Sequence, residues 1–150
     1  MRMKNALRGH FIQDVVKGQN EPVEANWLEL AKWIATVSDD TNEETEESAY
    51  YDGDGTKEST VVSVQGAYTF EGSYDREDKA QELLASKKYK TGDDRLVWHK
   101  VVDAGGKKQW IGKATASEIV AGSGEASSYE EFKAKLTYNQ VPKESVPTNV

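Results

Sequence analysis

Residues 59–74 read "STVVSVQGAYTFEGSY", and this stretch decides the fold. Val62, Val64, Tyr68 and Phe70 fall on one side of an extended chain. Ser63, Gln65, Thr69 and Glu71 fall on the other. Side chains alternate across a strand with a period of two, so this pattern predicts an antiparallel strand with one face buried and one in water. Gly66 and Gly72 sit in phase with the apolar set, and a glycine inside a strand marks a bulge or the close approach of another backbone.

Immediately upstream the character changes. Thr41 to Ser59 reads "TNEETEESAYYDGDGTKES". Asp39, Asp40, Glu43, Glu44, Glu46, Glu47, Asp52, Asp54 and Glu58 stand against one cation, Lys57. This segment lies between two predicted strands and reads as a long acidic loop over residues 38–59. It exceeds the usual length of a connection in a compact domain. Its centre, "YYDGDG", has the start of a calcium loop, with Asp52 and Asp54 at the first and third positions. The loop pattern then needs an oxygen ligand, a turn glycine and a closing Glu; here stand Thr56, Lys57 and Ser63. Asp-Gly pairs are also ordinary turn formers.

Further out the chain reads as strands around one helix. "GHFIQDVV" (Gly9 to Val16) is a first strand, and the polar Lys17 to Asn26, with Pro22, is a loop. "WLELAKWIATV" is ambiguous in period, and its β-branched, aromatic end favours a strand over Leu30 to Val37. "DREDKAQELLASKK" predicts a helix over residues 75–88. Ser73 or Asp75 would cap it, acids lie in its first turn, lysines in its last, and Ala80, Leu83 and Leu84 form its apolar stripe. "RLVWHKVV" and "QWIGKATASEIV", joined through "DAGGKK", predict a hairpin. Phe132, Ala134, Leu136 and Tyr138 alternate with Lys133, Lys135 and Thr137 in a closing strand. The tail, residues 142–150, has two prolines and nothing to bury, so it is expected to fray. Fold class is therefore mainly β: an antiparallel sandwich or barrel in a single domain with one flanking helix.

The 150 residues carry a net charge of −7 and no cysteine. Disulfide scaffolds and thiolate metal sites are excluded, and the acidic balance argues against a surface built to grip phosphates. No stretch approaches the roughly 20 apolar residues of a membrane span, and the basic start lacks a signal-peptide core, so a cytoplasm is the expected site of synthesis. Catalysis is not expected either. The two histidines, His10 and His99, sit in separate predicted strands with nothing to bring them together, and no serine has a strand–turn–helix setting.

Several pieces, in order, resemble the major tail tube proteins of long, non-contractile-tailed bacteriophages and prophages of Gram-positive hosts. They are "WLELAKWIATVSDDTNEE", then "YYDGDG", then "YTFEGSYDREDKAQ", then the hairpin with "SEIVAGSGEAS", and a last strand ending near "YNQVPK". The resemblance spans about Trp27 to Pro142. It departs at Trp33, where the family usually has a small residue after "LAK", and at "NQ", where a glycine would precede the proline. The resemblance implies a structural virion protein without catalytic residues or cofactor, made in the host cytoplasm and resident in the phage tail. It implies hexameric rings that stack into a tube through which DNA passes unbound. The tape measure protein would lie in the lumen, with distal tail and tail terminator proteins at the ends. It also implies that the acidic segment is an arm touching neighbouring subunits through Asn42, Glu43, Glu44, Glu46, Glu47, Tyr50, Tyr51, Asp52 and Asp54. The alternative is a monomeric β-sandwich binding module for carbohydrate or a host surface, calcium-dependent if the DGDG loop binds.

Overall fold

The computed structural model describes residues 1–147. Along the chain come β1 (Gly9–Asp14), β2 (Leu28–Glu29), β3 (Ile34–Asp39), β4 (Asn42–Ser48), β5 (Glu58–Gln65), β6 (Ala67–Ser73), α1 (Lys79–Ala85), β7 (Leu96–Val102), β8 (Gln109–Ala121), β9 (Glu131–Tyr138) and β10 (Lys143–Ser145). One antiparallel sheet has the order β2-β1-β7-β8-β9-β6-β3, with β10 beside β8. It curls into a half-barrel. Among the described residues, β4 and β5 pair only with each other.

The closing strand behaves as its alternation predicts. Phe132, Ala134, Leu136 and Tyr138 of β9 are buried, and the residues between them face outward. They join Ile12, Phe70, Val97 and Ala116 in one core, covered by Leu84 and Ala80 of α1. The Tyr138 ring fills the space beside two glycines, since a Cβ on Gly66 or Gly112 would come within 2.7 Å or 2.9 Å of it. β8 is the longest strand, and it bends at a bulge between Ser117 and Val120, where Glu118 takes φ 49°. A bulge of this kind sharpens local twist and helps the sheet curl.

Four expectations need correction. The strand predicted over Leu30 to Val37 is broken: β2 ends at Glu29 and β3 begins at Ile34. Trp33 between them takes φ 64°, a left-handed conformation that breaks a regular strand. β1 ends at Asp14 rather than Val16. The helix is shorter than residues 75–88, because Asp78 is its N-cap and accepts from Gln81 N at 3.4 Å. Asp75 instead caps the preceding turn, accepting from Glu77 N at 2.9 Å. Finally, residues 143–145 do not fray but pair with Gln109–Ile111 of β8; residues 148–150 lie outside the described residues.

Gln81 anchors the helix. Its side chain is fully buried, donates to the carbonyls of Lys32 and Ser73 at 3.0 Å each, and accepts from Asp75 N at 2.8 Å. One amide thus ties together the turn before β3, the end of β6 and the start of the helical segment. Beyond the helix, buried Lys87 pairs with Asp14 at 2.7 Å and donates to Asp94 O at 2.8 Å.

Candidate assembly interface

The acidic segment is not a loop. Asn42–Ser48 and Glu58–Gln65 form a two-stranded ribbon, and only the tip between them is a turn. Its register shows where it comes from. In the main sheet Asp39 faces Tyr68, and in the ribbon Asn42 faces Gln65. Three residues on along one strand match three residues back along the other, so the two pairings belong to one ladder. β3–β4 and β5–β6 are the two sides of a single long hairpin whose root lies in the sheet and whose outer half stands free of it.

The predicted alternation over residues 59–74 therefore splits at Gly66. Tyr68 and Phe70 enter the core, as their phase requires. Val62 and Val64 keep that phase but lie past the end of β9, where no core remains. They are exposed, as is Val61. Among the described residues both edges of the ribbon are unpaired, and an isolated two-stranded hairpin is marginal in water. The ribbon thus leaves three valines exposed to solvent.

The expected arm residues all map to this ribbon. Asn42, Glu43, Glu44, Glu46 and Glu47 lie on β4, and every one is exposed. Tyr50 and Tyr51 begin the tip, both exposed. Asp52 and Asp54 lie in the tip turn. Gly53 N donates to Tyr50 O at 3.1 Å, and Thr56 N donates to Asp54 Oδ1 at 2.9 Å. That bond holds the Asp54 carboxyl below its usual range. Asp54 thus shapes the turn, and among the described residues no group of three or more His, Asp or Glu is arranged to hold a metal ion.

At the root of the ribbon the half-barrel stays open. A cleft of about 500 Å³ separates the edge of β1 from β3. Arg8 and His10 line one side, Thr36, Val37 and Asp39 the other, and Tyr68 the floor. Here the sequence reading of the histidines is overturned. β1 pairs with β7, so Ile12 lies opposite His99 and the two imidazoles stack on the core face, with His10 Nδ1 3.3 Å from His99 Nε2. His99 Nδ1 lies 2.5 Å from Tyr138 Oη. One set of protons satisfies the row: Tyr138 donates to His99 Nδ1, and His99 Nε2–H donates to His10 Nδ1. Burial lowers both histidines, His10 to about 4 and His99 well below its ordinary value, and raises the Tyr138 hydroxyl. These groups are neutral structural links between β1, β7 and β9. The outer face of the sheet is mixed in charge, with Lys133 and Lys135 of β9 opposite Glu71 and Thr69 of β6.

No family model and no curated protein sequence matches the chain. Solved structures do. A protein from the virion of a native gene transfer agent particle aligns at TM-score 0.71 and 8% identity, over 97% of this chain and all of that one. A protein from the tail of an empty gene transfer agent particle, refined with C6 symmetry, aligns at 0.69 and 10% identity over the same shares. The SPP1 tail tube protein aligns at 0.67 and 13% identity, over 97% of this chain and 81% of that one. The chain has the tail tube fold. At these identities the likeness is one of backbone architecture.

Proposed function

We propose that this chain is a structural, non-catalytic tail tube subunit. Copies join side by side into hexameric rings, and the rings stack into the tube through which DNA leaves the virion. The carrying observation is the single hairpin that begins inside the sheet and ends as an unsupported, valine-bearing acidic ribbon. A monomer has no use for such an element, whereas a polymer covers its edges and its valines. The tail tube fold of the solved neighbours supports the same reading.

The charge agrees with a conduit. The ribbon, residues 42–65, carries seven of the chain's 26 carboxylates against a single cation, Lys57, and a carboxylate-rich element repels DNA phosphate rather than holding it. On the resemblance described above we read the tail as a non-contractile one from a phage or prophage of a Gram-positive host. The tape measure protein would then occupy the lumen, with distal tail and tail terminator proteins closing the ends.

Electron microscopy of concentrated protein, with light scattering of a dilute sample, tests this. Rings or hollow tubes without added ligand are the expected result. Protein that stays monomeric at every concentration, even when seeded with purified tail tips, overturns it.

A further inference from the structure

Resting on that reading, we infer that the acidic ribbon of one copy docks on the basic N-terminal segment of another. The two surfaces share complementary chemistry. Up to Asp14 the chain holds Arg2, Lys4 and Arg8 and no carboxylate. Ahead of β1, residues 1–8 make only a short 3₁₀ turn, Asn5–Leu7, with no buried residue. Met1, Met3 and Leu7 are exposed beside the cations. The ribbon offers the matching set: Glu43, Glu44, Glu46 and Glu47 on β4, and Val61, Val62 and Val64 on β5.

Neither surface is satisfied within its own copy. Among the described residues, no ion pair engages Arg2, Lys4 or Arg8, and none engages the four β4 glutamates. The N-terminal segment sits at the root of the hairpin, where Asn5, Ala6 and Arg8 face Asp39 across the cleft. The ribbon stands away from the sheet, so its carboxylates meet the basic segment of a second copy and not of their own. Lys88 and Lys90 flank a single exposed aromatic, Tyr89, where the N-terminal segment has three exposed apolar residues, Met1, Met3 and Leu7. Lys133 and Lys135 of β9 alternate with the buried Phe132, Ala134 and Leu136 and have no exposed apolar residue beside them. They match the charge of the ribbon and not its valines. The contact is heterologous, so it propagates instead of closing on a dimer.

Charge exchange in the full chain tests the pairing. Glu46→Lys with Glu47→Lys, on adjacent and therefore opposite faces of the ribbon, removes attraction whichever face is used. Arg2→Glu with Lys4→Glu does the same from the other side. Each pair is expected to lower the sedimentable fraction at least about tenfold, because like charges placed across an interface repel strongly. The chain carrying all four changes is expected to recover assembly. All these residues are exposed, so an unchanged melting temperature verifies the fold. Wild-type tubes beside an unaffected Arg2/Lys4 variant overturn this inference alone. So does recovery when Lys133→Glu and Lys135→Glu replace the N-terminal changes. A wild type that never assembles overturns the tube reading, and this one with it.

Discussion

Gly72 lies directly beneath the carbonyl of Trp33, and a Cβ on it would collide with that oxygen and stand 2.8 Å from Ile34 Cα. The contact is backbone against backbone. Ser73 N donates to Trp33 O at 2.9 Å, and the register of β3 on β6 shifts between Ile34 and Thr36. β3 can begin where it does only because residue 72 has no side chain.

Gly72→Ala should therefore destabilise the fold sharply. Backbone cannot rotate aside as a side chain can, so a loss of about 2–4 kcal/mol is expected, read as a lower urea midpoint at unchanged slope.

Gln81→Ala should cost a similar amount for a different reason. It leaves two buried carbonyls and one backbone N–H without their partner, at about 1–3 kcal/mol in total. Gln81→Glu separates the causes: it keeps the acceptor for Asp75 N but loses the donors to Lys32 and Ser73. Equilibrium unfolding should place it below wild type.

The histidine row predicts acid sensitivity. The folded-state pKa of His10, about 4, lies below its ordinary 6.5. The unfolded chain thus binds more protons between these values, and stability rises with pH across the window. It is complete above about pH 6.5 and falls as pH drops toward 4, by on the order of 3 kcal/mol for His10 alone. His99 adds in the same direction. Charged or ionisable neighbours are Arg8, which opposes protonation, and Tyr68, Tyr138 and Asp39 around the cleft. In His10→Phe, the denaturant midpoint should depend less steeply on pH between 4 and 6.5.

The continuous register predicts a clean excision. Replacing Asn42–Gln65 by a two-residue Asn-Gly turn joins β3 to β6 without disturbing the Asp39–Tyr68 pairing. The shortened chain should fold with near-native thermal stability and form no tubes under electron microscopy. Normal tubes from this variant would remove the ribbon from the assembly mechanism.

Val61→Thr, Val62→Thr and Val64→Thr together should spare the monomer, shifting its stability by no more than about 0.5 kcal/mol per site, because threonine keeps the β-branched shape in an exposed strand. Association should weaken, because three apolar surfaces are lost from the contact. Tyr50→Ala with Tyr51→Ala should also weaken assembly, and by more than neutralising Glu46 and Glu47 to glutamine, which leaves other carboxylates on the ribbon. Sedimentation across a concentration series ranks the three.

Much of this was readable from the chain alone, and the exceptions have physical causes. β9 and the β7–β8 hairpin follow from alternation because their inner faces meet the core. The acidic segment misled because charge and turn residues usually mark loops, while its strand character rests on pairing with the valines of β5. The sign was present: Val62 and Val64 keep the phase of Tyr68 and Phe70 across Gly66. The broken strand at Trp33 carries no local signal, since a tryptophan in left-handed conformation is held there by Asp75, which accepts from its Nε1 at 3.0 Å. The meeting of His10 with His99 depends on β1 lying beside β7, a long-range pairing that no local pattern encodes.

The strand path that runs from β5 of the ribbon straight into β6 has a mechanical meaning. Any tension on the ribbon runs along the strand axis into β6. There it meets the β9 ladder lengthwise, from Ala67 opposite Thr137 to Ser73 opposite Glu131. Interstrand hydrogen bonds lie across the strands, so a lengthwise pull shears the row together instead of peeling it bond by bond. The hairpin is a tension member anchored in the strongest direction the sheet offers.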